Sequence, residues 1–402
     1  MGGVAGSVRS ALLSLPRGVV VRRSFFFYDS MLNLALLEQI EKGFCMSSAI
    51  EASVDKLDSV QFLRAIAATA VVVQHVPLFR NGAWGVDIFF VISGFIMALV
   101  TAKSKRHFFT KRVIRVVPLY WLGTFGVFGV ALLLPSLLDN TTADLTGLIK
   151  SLLFIPYQKG EYVQPLLFLG WTLNFEMLFY VLFALSMAIS HRHRLLICSL
   201  VLMVLVLLGQ WMKFDSVILD FYSSEILAEF AFGMGCYALY ARTAGWRASG
   251  PTIGVRVVLV LISVTCIASM PFSEAFATTL GRSIYWGIPA TLCFLAMVHG
   301  LAGLRLPWGM VLLGDASYSL YLFHPYVMKV FNKVFHVFDT SGLLAYLTAV
   351  LAIGLCYLVA ISIYRLVELP MTRRLRVIFL DRHRVGKLPP ELPVERSELR
   401  GE

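Results

Sequence analysis

The chain has 402 residues, of which 58% are hydrophobic and 15% charged, with a formal net charge of +11. Soluble domains carry about 25% charged residues, so this composition excludes an ordinary soluble domain and indicates an integral membrane protein. The positive charge does not predict nucleic-acid binding, because the basic residues concentrate in alternate loops between apolar runs, as the positive-inside rule describes for membrane proteins.

The apolar runs are long enough to cross about 30 Å of hydrocarbon as helices. We therefore predict an all-α fold, a polytopic membrane bundle of about ten helices. The predicted spans are residues 57–77, 84–102, 113–135, 166–190, 194–213, 221–241, 254–271, 284–303, 315–337 and 343–366.

Charge asymmetry between the loops predicts the orientation. The second loop alone contains Lys103, Lys105, Arg106, Lys111 and Arg112, whereas the odd-numbered loops carry few basic residues. Because basic loops stay in the cytoplasm, an even number of spans places both termini there.

Three segments differ in composition. Residues 1–56 form an N-terminal extension, predicted to be partly disordered or an interfacial helix; alternatively the native chain starts at Met46, where "MSSAIEASVDKLDSVQFLRAIAA" begins. Residues 57–376 form the membrane domain, and residues 377–402 a polar, basic cytoplasmic tail suited to anionic lipid headgroups. The six cysteines are scattered singly, so we interpret them as packing residues and predict no metal site.

The first span, "FLRAIAATAVVVQHVP", contains Arg64 and His75, eleven positions apart. At about 100° per residue they lie roughly 20° apart around the helix axis, on one face. A charge at membrane depth costs about 2.5–3.5 kcal/mol, so such residues normally face the protein interior and serve a function. His75 is either a structural residue or a group that accepts and returns a proton near neutral pH.

Two carboxyl groups enter the apolar background. Asp87, in "NGAWGVDIFFVISGFIMALV", either orients the His75 imidazole across a short turn or is a simple interfacial acid. Glu176, in "GWTLNFEMLFYVLF", must be neutral, paired or facing water.

The third span starts with a basic face in "FFTKRVIRVVPLYW". Positive-inside anchoring explains Lys111 and Arg112 well and Arg115 poorly, because Arg115 already lies in the apolar run. Guanidinium groups bind phosphate oxygens bidentately, so this face fits a phosphate-bearing ligand. In "DASYSLYLFHPYVMKV", His324 precedes a helix-bending Pro325 and is either a second catalytic group or a packed partner.

Taken in chain order, these elements resemble the membrane-bound acyltransferase type 3 family, which O-acylates exopolysaccharides, O-antigens and other acceptors with hydroxyl groups. The matching pieces are "LDSVQFLRAIAATAVVVQH", "GVDIFFVISGFIM", "KRVIRVVPLYW", "GWTLNFEMLFY", "SYSLYLFHP" and "RLVELPMTRR". The resemblance implies an O-acyltransferase of the bacterial inner membrane. Its implied donor is acyl-CoA, normally acetyl-CoA, and no cofactor or metal is implied. The implied acceptor is a polysaccharide or a lipid-linked oligosaccharide.

The resemblance implies that His75 is the catalytic histidine, Arg64 its required partner, and Arg112 and Arg115 the donor-binding arginines. The motifs described above add Asp87, Lys111, Glu176 and His324 to these four residues. The expected catalytic residues are therefore His75, Arg64 and Asp87, and the expected substrate- or donor-binding residues are Arg112, Arg115, Lys111, Glu176 and His324.

A secondary transporter or flippase for a polysaccharide precursor is the alternative from another class, because intramembrane polar residues also line substrate pathways. No internal repeat is visible in the sequence, and the polar groups concentrate between Arg64 and Arg115. Both features favour the acyltransferase.

Overall fold

A computed structural model describes residues 57–138, 143–273, 281–335 and 342–380. By contacts the chain divides into a unit of residues 1–56 and a unit of residues 57–402. The predicted N-terminal extension and most of the predicted tail lie outside the described residues.

The described part of residues 57–402 is a helical bundle, as the apolar runs predict. Its α-helices are α1 (Asp58–Gln74), α2 (Gly85–Lys103), α3 (Phe108–Leu133), α4 (Leu145–Leu152), α5 (Trp171–Ile189), α6 (Arg194–Trp211), α7 (Val217–Tyr222), α8 (Ala228–Arg242), α9 (Ala244–Ser249), α10 (Ile253–Ser269), α11 (Ile288–Gly300), α12 (Trp308–Asp315), α13 (Ser317–Phe335), α14 (Gly342–Ile363) and α15 (Leu369–Leu380). Short 3-10 helices lie at Pro135–Leu137, Phe168–Gly170, Glu225–Leu227 and Met270–Ser273, and π-helical turns at Ser283–Gly287 and Tyr364–Glu368. The first predicted residues of the tail, 377–380, continue α15.

A small hairpin adds strand structure that the all-α prediction did not include. Strands β1 (Gln158–Lys159) and β2 (Tyr162–Val163) pair antiparallel, with Lys159 opposite Tyr162. Gly160 forms the turn with φ of +63°, a conformation that glycine adopts without steric cost. Runs of two residues are too short for hydropathy to reveal.

Seven helices among the described residues are long and apolar enough to cross a membrane, so the protein is multi-pass. The three other predicted spans coincide with α1, α8 and α13, which have 17, 15 and 19 residues. These helices are shorter or more polar than the seven, and the figure of about ten spans stays a prediction.

Helix α2 lies at the centre of the bundle. In its apolar membrane-spanning stretch 72% of the residues are buried, whereas in the corresponding stretch of α10 only 11% are buried. Spanning helices joined by short connections run antiparallel, so the connections alternate between the two ends of the bundle. We call the end at residues 104–107, between α2 and α3, the basic end. The end at residues 75–84, between α1 and α2, is the far end. It carries α4, the hairpin and α7, which connect helices meeting at that end.

Candidate functional site

Two imidazoles meet between α1 and α13. His75 caps the C-terminus of α1 and is half-buried, while His324 in α13 has 1% of its surface exposed. The Nε2 atom of His324 lies 3.2 Å from Nδ1 of His75, and the ring centroids are 4.9 Å apart. Phe168 packs against the other side of the His75 ring at 5.6 Å. The pair is thus held between two helices and an aromatic side chain.

Hydrogen-bond directions define the tautomers of this pair. His324 Nδ1 lies 2.9 Å from the carbonyl oxygen of Leu320 and 3.0 Å from that of Tyr321. Since a carbonyl only accepts, Nδ1 of neutral His324 carries the proton and its Nε2 carries a lone pair. His75 Nδ1 then donates both toward this Nε2 and to the carbonyl oxygen of Val71 at 2.8 Å. The Nε2 atom of His75 is left with a lone pair, and is the basic atom of the pair.

Pro325 explains why His324 sits this way. A proline in a helix has no N–H, so the carbonyl oxygen four residues earlier loses its intrahelical donor. For Pro325 that carbonyl belongs to Tyr321, and His324 Nδ1 reaches it. The sequence "FHP" therefore fixes the imidazole through the backbone of its own helix.

Arg64 contacts the same helix nearer the basic end. Its Nε donates to the hydroxyl of Ser317 at 3.2 Å. Ser317 and His324 stand seven positions apart on α13, about two turns, so Arg64 and His75 both face this helix. The Arg64 guanidinium interacts electrostatically with four charged side chains, those of Arg115, Glu368, Asp315 and Glu176.

The charged cluster around Arg64 includes the predicted arginines of α3. Arg112 interacts electrostatically with Arg115, Glu176 and Arg376, and Arg115 interacts with Arg376. The Nε atom of Arg112 is buried and has no hydrogen-bond partner. A buried donor without a partner costs about 1–3 kcal/mol, so this atom is one that an anionic ligand would stabilise.

Two acids in this cluster have defined partners. Glu176 Oε1 accepts a hydrogen bond from the Tyr180 hydroxyl and a 3.4 Å bond from Ser93. Glu368 Oε2 accepts a 2.6 Å bond from the hydroxyl of Ser319 on α13. The cluster holds four arginines, Arg64, Arg112, Arg115 and Arg376, and three acids, Glu176, Glu368 and Asp315. It lies between the basic end and the imidazole pair.

The structure separates two of the expected site residues from these groups. Lys111 is exposed on the outside of α3. Asp87 is fully buried and forms a bidentate pair with Arg282, at 3.0 and 2.8 Å. Orientation of His75 by Asp87 was one of two alternatives from the sequence and stays a prediction, whereas the partner that the structure gives Asp87 is Arg282, from the chain before α11.

The structure gives His324 a defined neighbour. The sequence placed it among the substrate- or donor-binding residues and left open a second catalytic group or a packed partner, and its ring contacts His75. It belongs to the imidazole pair as a partner of His75.

Several residues of the site carried little signal in the sequence. Ser317 and Ser319 are small hydroxyls in an apolar run, and Arg282 opens a π-helical turn far along the chain. Glu368 lies in "RLVELP", in the π-helical turn that follows the long apolar stretch of α14. An acid directly after an apolar run was the one feature of the sequence that could have indicated it. Glu229 is also fully buried, and neither of its carboxylate oxygens has a hydrogen-bond partner.

The described part of the chain contains no set of side chains arranged to bind a metal ion. No group of three or more His, Cys, Asp or Glu side chains there could hold a metal ion. The described cysteines, at positions 198, 236, 266, 293 and 356, are free thiols.

The fold and the site define a multi-pass helical membrane protein with two contacting imidazoles and an arginine-rich interior. Residues 57–365 match the family described as Acyltransferase domain (Acyl_transf_3). The chain belongs to this acyltransferase family. It is also 36% identical over 309 residues to the exopolysaccharide production protein ExoZ of Rhizobium meliloti (strain 1021), a match that covers 74% of this chain and 91% of ExoZ. No solved structure matches the chain.

Proposed function

We propose that this protein transfers an acyl group, normally acetyl, from acyl-CoA to a hydroxyl of a cell-surface polysaccharide or its lipid-linked precursor. The observation that carries the proposal is the His75–His324 pair, which leaves one basic nitrogen at the head of an arginine-lined interior. Family membership and the similarity to ExoZ support the acyl transfer and the polysaccharide acceptor.

The chemistry needs a base at the acceptor. A sugar hydroxyl is a weak nucleophile until its proton is removed as it attacks. In the proposed step, His75 Nε2 takes the hydroxyl proton while the oxygen forms a bond to the thioester carbonyl carbon. The C–S bond then breaks, and the departing thiolate takes the proton back from the imidazolium. Charge on the imidazolium is stabilised by the lone pair of His324 Nε2.

The donor would enter from the basic end. Coenzyme A bears several phosphates and a thin thioester arm, and arginines bind phosphates bidentately. The buried Nε of Arg112 has no protein partner, and Arg115 lies next to it in the cluster. Arg64 stands between these arginines and His75 along α1 and α13. There it would bind the donor close to its thioester group and position that group near His75.

Orientation follows from the same charges. Positive-inside asymmetry places the basic end in the cytoplasm, where acyl-CoA is available. Both chain termini would then be cytoplasmic and the protein would lie in the bacterial inner membrane. His75 sits toward the far end of α1, within reach of an acceptor on the other side.

The test is replacement of His75 by alanine. Loss of the base should lower acyl transfer by about 10²–10⁴-fold while the protein stays in the membrane at normal amounts. Membranes are incubated with labelled acetyl-CoA and acceptor polysaccharide, and both ester formation and released coenzyme A are measured.

His193→Ala is the matched control, because His193 is an exposed histidine at the basic end and should keep full turnover. Near-normal turnover by His75→Ala would exclude the base. No coenzyme A release by the unaltered protein would favour the transporter.

A further inference from the structure

The far end of the bundle holds a cavity of about 590 Å³ that the proposed donor path does not use. It lies between α4, the β1–β2 hairpin and the N-terminus of α7. The polar side chains that line it are Asp144, Thr146, Lys150, Tyr157, Gln158, Lys159 and Ser216. Its volume is within the range of small-molecule sites, about 300–1,000 Å³.

A hydrogen-bonded frame fixes one wall of this cavity. The hydroxyl of Ser151 donates to the Gly147 carbonyl at 2.7 Å, accepts from the Leu166 N–H at 2.9 Å, and lies 3.2 Å from the Tyr157 hydroxyl. One serine thus ties α4 to the hairpin and to the chain leading into α5. The wall is held by hydrogen bonds instead of by loop packing alone.

The lining carries two lysines and one acid, Asp144, and so has a small excess of positive charge. Lys150 lies 5.7 Å from the centre of the Tyr157 ring, and Lys159 is half-buried. The carboxylate of Asp144 is already engaged, since it caps α4 by accepting from the N–H groups of Thr146 and Gly147 at 3.1 and 2.7 Å. Partial burial lowers the pKa of the Lys159 ammonium from its ordinary value, so a bound anion would stabilise its charged form.

One short segment of chain connects the cavity with the imidazole pair. Leu166 lines the cavity, and two residues later Phe168 packs on the His75 ring at 5.6 Å. Cavity and base therefore share one short segment at the far end. The donor-side arginines belong to the opposite half of the bundle.

We propose that this cavity binds the acceptor, and that the acceptor is an anionic saccharide. Lys150 and Lys159 would bind its carboxylate or phosphate group, Gln158 and Ser216 its hydroxyls, and the Tyr157 ring would stack on a sugar face. Ammonium groups form the strongest hydrogen bonds with charged acceptors. This inference rests on the proposed acyl transfer, because it assigns the acceptor side of that reaction.

The test uses the full chain in detergent micelles and the double variant Lys150→Gln, Lys159→Gln. Binding is measured with oligogalacturonides as an acidic probe and with neutral gluco-oligosaccharides of equal length. We expect the acidic probe to bind at least about tenfold more tightly than the neutral one, and the double variant to lose that preference. Lys213→Gln is the matched control, because Lys213 is exposed at the same end and outside the cavity.

Equal binding of both probes, or an unchanged double variant, would overturn the proposal. Displacement of the acidic probe by phosphatidylglycerol at low concentration would also overturn it, since the cavity would then be a lipid headgroup site. The acyl-transfer assay separates this outcome from failure of the enzyme proposal. If the protein transfers acyl groups and the double variant has an unchanged acceptor KM, the acyltransferase proposal holds and the acceptor-site proposal fails. If the protein binds the acidic probe through these lysines but transfers no acyl group, the acyltransferase proposal fails and the binding site remains.

Discussion

A proline fixes the imidazole of His324 in its helix, and His324 together with the Val71 carbonyl fixes the tautomer of His75. The carbonyl oxygen of Tyr321 has no helical N–H donor because residue 325 is proline, and His324 Nδ1 supplies one. The remaining lone pair of His324 faces His75 Nδ1 at 3.2 Å. The order of donors along this chain leaves Nε2 of His75 as the basic atom.

His324→Gln and His324→Leu test this arrangement. The glutamine oxygen can still accept from His75 Nδ1, whereas leucine keeps the bulk and removes the acceptor. We expect the leucine variant to lose about 10²-fold in kcat, because a base out of alignment loses that much, and the glutamine variant to recover a large part of it. The donor KM should stay unchanged in both, as measured by steady-state kinetics in membranes.

A purely structural role for His324 would lower the amount of folded protein in both variants and leave the kcat per folded molecule intact. Full kcat in the leucine variant would remove His324 from the reaction.

Residue-scale prediction from sequence succeeded where it depended on helix geometry and failed where it depended on distant chain segments. The eleven-residue step put Arg64 and His75 on one face, and both contact α13. Asp87 was considered as a partner of His75 across a short turn, but Arg282, with which it pairs, lies 195 positions away. Hydropathy and periodicity carry no information about such pairs.

At the scale of elements, two glycines let α2 and α8 cross in close contact. A Cβ atom on Gly94 would lie 3.1 Å from the Gly233 Cα and against the carbonyl oxygen of Phe230, and one on Gly233 would meet the carbonyl oxygen of Val91. Small residues at helix crossings allow this approach in membranes. The crossing places α2 at the centre of the bundle, between α8 and α1.

Gly233→Ala should destabilise the protein, because the added methyl group forces α8 away from α2. Overpacking of this kind costs about 1–3 kcal/mol, so the thermal midpoint in detergent should fall. Gly235→Ala is the control on the same helix, since a Cβ atom added there would meet nothing within 4 Å. Equal midpoints for the two variants would show that the crossing tolerates a side chain.

The long elements were predictable and the short ones were not. Each of the ten apolar runs coincides with a helix, because hydrocarbon admits few other structures. The hairpin, α4 and α7 form the acceptor cavity, yet they are too short or too polar for hydropathy to indicate. The π-helical turn that carries Glu368 likewise has no signature beyond one acid after an apolar run.

For the whole molecule, the two substrates would approach the same base from opposite ends. The arginine cluster includes Arg64 on the side of the basic end, and the cavity at the far end is lined by Leu166, two residues before the Phe168 that packs on His75. Such an arrangement explains why the catalytic groups lie inside a membrane bundle. The acyl group would move across the protein while the phosphate-bearing donor stays on the side where it is made.

This division predicts that donor and acceptor affinities can be altered separately. Arg112→Gln and Arg115→Gln each remove a half-buried cation from the donor side, so the donor KM should rise by about tenfold, the effect of losing one hydrogen bond to a charged group. The acceptor KM should not change, because the cavity lies at the other end.

Lys111→Gln removes the same charge from the exposed face of α3 and should leave both constants unaltered. A rise of equal size in Lys111→Gln would mean that surface charge alone attracts the donor, whereas an unchanged donor KM in both arginine variants would place the donor elsewhere. Arg115→Lys adds a further discrimination, since lysine keeps the charge without the bidentate fork and should fall between arginine and glutamine only if phosphate geometry matters.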